Sequence, residues 1–290
     1  MFKILHNKIW IFDSEWVPDA AVGRELYQLP PSLTDEAVIN EMWKHGGATE
    51  ENPTPFLKTV LCRIVSISAI IRTESQDGIR LQLLSLPRNT DNPEERGETH
   101  IIDTFLNAIG KNRPQLVGYN SSRSDLKILV QRAISNGVQA PEFCRRPAKP
   151  WEGVDYFARS SDYHIDLMEI VGSWGKGSPS LNEMATACGI PGKMELDGNA
   201  VAPLWLTGKL DQIIAYNEFD AITTYLLWLR IAFFGGFISL NAYEDEQELL
   251  KKMLMDESVK PERVHLKKYL DEWKRAKSVK KQALAQSNDG

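Results

Sequence analysis

Two acidic residues one apart, Asp13 and Glu15, follow the apolar run Ile9-Trp10-Ile11-Phe12. In a strand the side chains alternate with period two, so both carboxylates point to the same face. Side by side they repel each other, and a hard cation such as Mg²⁺ or Mn²⁺, which prefers carboxylate and water oxygens, relieves that repulsion. A solvated strand end running into a turn at Pro18-Asp19 is the simpler local explanation. The metal reading therefore depends on further carboxylates. Asp125 follows an apolar run at 115–119 and sits at the start of a helical pattern. There it serves equally as a first-turn acid complementing the helix dipole or as a metal ligand. Tyr216 and Asp220 lie four apart and so share one helical face. That face continues into apolar residues such as Leu227, and a carboxylate on a buried face needs a metal, a base or hydrogen-bond donors. Taken alone, a Tyr–Asp surface pair is the blander account of those two residues.

These groups require a strand, a strand–helix junction and a long helix to hold them, and the pattern of the chain supplies all three. The opening strand covers 9–16. Residues 19–58, broken by Pro30-Pro31, Gly46-Gly47 and Pro53-Thr54-Pro55, are expected to be irregular apart from one short helix between Thr34 and Trp43, capped by Thr34. So long a connection should cover one side of the site or a sheet edge. Runs at 61–71 and 79–86, joined by a turn at Asp77-Gly78, form with the first strand an antiparallel meander. Helix then alternates with strand: helix 99–110, strand 115–119, helix 124–136, strand 164–170. The stretch 141–162, rich in Pro and Arg, is expected on the surface. Ser180-Leu181-Asn182-Glu183 is a capping box opening a helix that Gly189 closes. A loop at 191–203 leads to a long helix over 209–234. The expected architecture is α/β, a mixed sheet with three antiparallel strands followed by strand–helix alternation. Residues 1–240 form the domain that carries the acids, and 241–290 a polar, partly basic helical extension whose outer face is solvated.

Composition narrows the class. An apolar content of 42% and a charged content of 25% are those of an ordinary soluble globular chain with ample material for a core. No apolar run approaches membrane-spanning length, and the N-terminus lacks a signal peptide's apolar region, so a cytoplasmic location and no membrane partner are expected. Cys62, Cys144 and Cys188 are isolated and odd in number, which argues against a disulfide framework and a zinc site. The net charge of −5 is unusual for an electrostatic nucleic-acid binder, but metal-binding acids inflate it and bound ions reverse it locally. No Gly-x-Ser-x-Gly elbow, His-Glu-x-x-His helix or phosphate-cradling Gly-x-x-x-x-Gly-Lys loop is present.

Together, Asp13-Ser14-Glu15, the segment from Asn120 to Asp125 and Tyr216 to Asp220 resemble, in order and setting, the three motifs of the DEDD 3′–5′ exonucleases, in the branch with tyrosine in the third motif. The chain most resembles the predicted exonucleases related to the proofreading domain of family B DNA polymerases, over about residues 8–236. The resemblance implies a ribonuclease H-like fold and hydrolysis of phosphodiester bonds at the 3′ end of single-stranded nucleic acid, DNA ahead of RNA, releasing nucleoside 5′-monophosphates. It implies two divalent ions, Mg²⁺ or Mn²⁺, about 3.5–4 Å apart. Asp13 would bridge both, Glu15 and Asp220 would complete the site that carries the attacking water, and Asp125 would hold the second ion through water. Tyr216 would orient the water, its phenol being a poor base near neutral pH.

Trp16, Asn120 and Arg123 are the candidate substrate contacts, the first by stacking on a terminal base. Core packing and loop anchoring are the competing roles of Trp16 and Asn120. Asp166 is expected to be structural. The sequence departs from the family pattern at Ser14, where an aliphatic residue is usual, and at Ser124, where an aromatic one is common; neither removes a ligand. No polymerase-sized continuation follows, so a polymerase or repair partner would be a separate chain. A catalytically weak binder of nucleic acid or protein, and a hydrolase of oligonucleotides, are the rival readings.

Overall fold

The computed structural model describes residues 3–159, 161–172, 177–192, 194 and 198–288, with side chains as far as 283. Strands β1 (Lys8–Pro18), β2 (Cys62–Ser75) and β3 (Gly78–Leu86) form the expected antiparallel meander. On the other side of β1, β4 (Gln115–Gly118) and β5 (His164–Asp166) add in parallel, giving one sheet in the order β3-β2-β1-β4-β5. The most apolar run of the N-terminal region is thus the central strand. Its period-two alternation sorts two cores. Ile9 and Ile11 face one cluster, Trp10 and Phe12 the other.

The first face is covered by α9 (Leu210–Phe234), which buries Ile222, Leu226 and Leu229 against it. The second is covered by α3 (Glu98–Asn112) and α4 (Asp125–Ser135), through Phe105, Ile109 and Leu129. Arg132 of α4 is clamped by Glu98 of α3 at 2.6 Å and by Asp19 at 2.6 Å, all three carrying little exposed side chain. Paired on both sides, these buried charges fix α4 against α3. The result is a mixed five-stranded sheet with helices on both faces, the α/β arrangement expected.

The elements around the sheet differ from expectation in three places. Residues 20–26, expected to be irregular, form α1 (Ala20–Leu26), because the side chain of Asp19 accepts from the amides of Ala21 and Val22 and so caps a helix instead of closing a turn. Helix α2 (Asp35–His45) follows, capped by Thr34 as expected. The strand expected at 164–170 stops at Asp166, whose carboxylate accepts from Met168 N at 3.0 Å and opens α6 (Leu167–Val171). Within the expected loop at 191–203 a short helix, α8 (Val201–Leu206), begins, while 193 and 195–197 lie outside the described residues. The stretch 141–162 holds a single helical turn, α5 (Pro141–Cys144). The capping box and the left-handed Gly189 bound α7 (Leu181–Cys188) as expected.

Helices α10 (Leu240–Glu257) and α11 (His265–Asn288) share the main core. Leu250, Leu254, Leu266, Tyr269 and Trp273 belong to the same buried cluster as Ile9 and Ile11. Arg72 of β2 meets Glu246 of α10 at 2.7 Å with both side chains almost fully buried. Among the described residues no helix is long and apolar enough to cross a membrane.

Candidate active site

The parallel pairing of β1 with β4 ends at Ile11↔Val117, while its antiparallel pairing with β2 continues to Pro18↔Cys62. The last part of β1 therefore has a partner on one side only, and its other edge opens toward the segment 119–125. Asp13 and Glu15 continue the face of Ile9 and Ile11, the face that α9 covers. Asp220 comes down from α9 onto that face. Carboxylate oxygens of Asp13, Glu15 and Asp220 all lie within 4.8 Å of one another.

Burial and mutual repulsion act on these groups together. Burial, then the charges of Asp125, Glu15 and Asp220, holds the Asp13 carboxyl well above its ordinary range. Burial, then Asp220 and Asp125, does the same to Glu15. Burial raises Asp220 to about 7, against the opposing hydrogen bond from Tyr216 and with the help of Asp125. Among the described residues no ion pair involves any of the four acids. A set of hard oxygen donors with no neutralising side chain fits a divalent ion of the Mg²⁺ or Mn²⁺ type. The half-buried phenol of Tyr216 is pushed upward by burial first and then by Asp220, Glu15 and Asp13. It stays protonated near neutral pH and donates to the Asp220 carboxylate, which suits it to orient a neighbouring oxygen and not to remove a proton.

Asp125 stands outside the set of three and approaches from the other face of the sheet. Ser14, between the two acids of β1, necessarily points to that other face, and its hydroxyl donates to Asp125 Oδ1 at 2.6 Å. The Ser14 amide donates to the same oxygen at 3.0 Å, and the Ser124 hydroxyl lies 2.9 Å from Oδ2. Burial raises the Asp125 carboxyl and these bonds pull it back down. The two residues at which the sequence leaves the family pattern therefore act on one carboxylate.

Asn217 carries no mark in the sequence beyond its place three residues before Asp220 on the same helix. It is fully buried, donates from Nδ2 to Asp13 Oδ2 at 2.6 Å and accepts from the Ser66 hydroxyl at 3.0 Å. Ser66 is the cross-strand neighbour of Glu15. A chain of hydrogen bonds thus ties β2, α9 and Asp13 together. A polar residue amid the apolar helix positions was the available signal.

The loop between β4 and α4 is anchored from below. Asp166 accepts from Asn120 N at 2.8 Å and from Ser122 N at 3.0 Å, the structural role expected of it. Asn120 takes a left-handed conformation with φ 60°, which asparagine tolerates, and its Oδ1 is buried without a partner among the described residues. Gly118 is required just before it, since a Cβ there would meet Ser121 Cβ at 2.5 Å.

A cavity of about 480 Å³ lies over these groups, lined among others by Asp13, Glu15, Trp16, Trp43, Phe56 and Asn120. Trp16 and Asn120 thus line the same cavity as the acids, Trp16 while also packing against the second core, and Phe56, 87% exposed, stands at the rim although nothing in the sequence marked it. Arg123 does not line this cavity. It projects to the other side of the 119–125 segment, into a second cavity.

Clustered carboxylates at the open end of the central strand, on a mixed sheet flanked by helices, define an acidic, metal-compatible site on a ribonuclease H-like α/β fold. Residues 54–273 match the family of predicted 3′-5′ exonucleases related to the exonuclease domain of PolB, and the chain belongs to that family. Asp125, Tyr216 and Asp220 fall inside the match, which runs through α10 and into α11; Asp13 and Glu15 precede it. No curated protein matches the chain.

Proposed function

We propose that this chain is a metal-dependent 3′–5′ exonuclease that removes nucleoside 5′-monophosphates from the 3′ end of single-stranded nucleic acid, DNA in preference to RNA. The observation that carries the reading is the convergence of Asp13, Glu15 and Asp220 from β1 and α9 within 4.8 Å, in a member of a family of predicted exonucleases. Kinship with the exonuclease domain of a DNA polymerase supports DNA as the substrate.

Two divalent ions, when bound, supply Lewis-acid stabilisation of the attacking and leaving oxygens of the phosphodiester. Asp13, Glu15 and Asp220 are the residues to hold them, with Asp125 as the fourth acid. Asn217 keeps the Asp13 carboxylate oriented. Tyr216 presents its hydroxyl, anchored at Asp220, to the water that attacks phosphorus as the 3′-oxygen departs. Trp16 and Phe56 offer apolar faces to the terminal base, and Asn120 lines the same cavity. A polymerase or repair protein is the partner such an activity would serve.

The test is a time course on 3′- and 5′-labelled single strands of DNA and RNA with Mg²⁺ or Mn²⁺. Stepwise loss from the 3′ end, abolished by EDTA and by Asp220→Ala, is the expected result. Strand binding without cleavage under either metal would refute the proposal.

A further inference from the structure

The segment 119–125 separates two cavities. Tyr119, Asn120, Ser124 and Asp125 line the one that holds the acids. Ser122 and Arg123 line the other, of about 490 Å³, where Arg123 and Lys127 stand against the acid Glu169. A surplus of positive charge here is notable in a chain of net charge −5. Arg123 and Lys127 are exposed, four residues apart across the first turn of α4, and no ion pair among the described residues engages either.

The same cavity presents an aromatic ring on a rigid support. Phe157 is 38% exposed, yet its ring meets Phe143 edge-on at 5.3 Å, and Phe143 in turn stacks on buried Tyr156 at 5.3 Å. The loop that carries Phe157 is tied down by Asp155, whose Oδ1 accepts from Phe157 N at 2.9 Å and from Ala158 N at 3.0 Å. An exposed aromatic ring on a fixed support offers a ready stacking face. Cations that follow a backbone, beside an aromatic face that any base can stack on, are the chemistry of sequence-tolerant single-strand binding.

We infer that this second cavity is the track for the strand behind the scissile bond: Arg123 and Lys127 hold backbone phosphates on the 5′ side of the terminal nucleotide, and Phe157 stacks a base there. The strand would cross the 119–125 segment, with its 3′ end among the carboxylates. The inference rests on the exonuclease reading for its direction, but not for its binding chemistry. It assigns a preference for substrates long enough to span both cavities over dinucleotides.

Two measurements separate the two ideas. One is anisotropy of a fluorescent single-stranded DNA 12-mer titrated with the protein in Ca²⁺ across a range of salt. The other is hydrolysis of a thymidine dinucleotide and of the 12-mer in Mg²⁺. Each single-strand phosphate contact contributes about 0.7 to the slope of log K against log salt, so the Arg123→Gln/Lys127→Gln double variant should lower that slope by about 1.4. Its affinity for the 12-mer should fall roughly tenfold or more. Phe157→Leu, which keeps the apolar contact with Phe143 but loses the aromatic face, should weaken binding by roughly tenfold at an unchanged slope. In both variants the loss of hydrolysis should be at least roughly tenfold larger on the 12-mer than on the dinucleotide, because the shorter substrate does not span into the second cavity.

A parent that hydrolyses neither substrate, with the binding differences intact, sinks the exonuclease reading and leaves the polynucleotide track standing. Variants that bind the 12-mer with the parent's affinity and slope overturn the track, whatever the hydrolysis. Equal losses on dinucleotide and 12-mer also overturn it, since the residues would then act on the carboxylate site itself.

Discussion

Replacing Ser14 by alanine should damage the protein through Asp125, and the geometry sets the size of the effect. The Ser14 hydroxyl donates at 2.6 Å to a carboxylate oxygen of a residue that is 3% exposed. That distance is in the range of a charge-assisted O–H···O⁻ bond, and hydrogen bonds to charged groups contribute about 1.5–3 kcal/mol. The Ser14 amide and the Ser124 hydroxyl remain in the variant, so the loss is expected near the lower end of that range. Urea unfolding of the metal-free protein reads this directly. In the metal-loaded protein a less firmly held Asp125 should raise the half-saturating Mg²⁺ concentration for strand cleavage by roughly tenfold, the equivalent of about 1.4 kcal/mol. The decisive comparison is a double-mutant cycle. Once Asp125→Ala has removed the acceptor, Ser14→Ala should cost only a few tenths of a kcal/mol more. If the serine costs as much without Asp125 as with it, the hydrogen bond is not its role and the reasoning fails.

Two further outcomes follow from the crowded acids. Asp220 has its carboxyl raised to about 7 by burial, so between roughly pH 4 and 7 the folded chain holds a proton that the unfolded chain has released. The sign is that of a raised acid: without metal, this group's contribution to stability is greatest at low pH and is lost as pH climbs through 7. In EDTA, Asp220→Asn should therefore be more stable than the parent above about pH 7, by a margin that shrinks toward pH 4; a margin independent of pH across urea unfolding curves would contradict this. Tyr216→Phe removes the bond that holds the Asp220 carboxyl down. The acid limb of its pH–rate profile should move to higher pH and its kcat fall about tenfold or more, with half-saturating Mg²⁺ within about twofold of the parent. Unchanged turnover would remove the hydroxyl from the mechanism.

What the sequence disclosed divides along physical lines. The alternation Ile9, Ile11, Asp13, Glu15 gave both the core face and the placement of the acids, because period two is a property of the strand alone. The i, i+4 spacing of Tyr216 and Asp220 needed only helical geometry. The short helices α1, α6 and α8 were hidden, since seven residues or fewer show little periodicity and side-chain caps such as Asp19 and Asp166 look like turn or strand residues. Least legible were contacts between distant segments. Ser14 and Asp125 are 111 residues apart, as Asn217 and Asp13 are 204 apart, and neither serine nor asparagine carries a local sign of its partner.

That limit explains why Ser14 and Ser124 looked like two unrelated departures from the family pattern. An aliphatic residue at 14 points to the side from which Asp125 approaches and offers it no hydroxyl, and an aromatic residue at 124 offers none from the helix side. With both serines present, the Ser14 hydroxyl donates to one carboxylate oxygen of Asp125, and the Ser124 hydroxyl, shared with Asn120 O at 2.7 Å, lies 2.9 Å from the other. A buried carboxylate that receives the Ser14 amide and hydroxyl on one oxygen, with the Ser124 hydroxyl beside the other, is held in one orientation whether or not a cation is near. Ser14 and Ser124 are therefore best understood as a single arrangement, in which the fourth acid of the site is positioned by the protein itself. The catalytic weakness that either residue invites when considered alone does not follow from the pair.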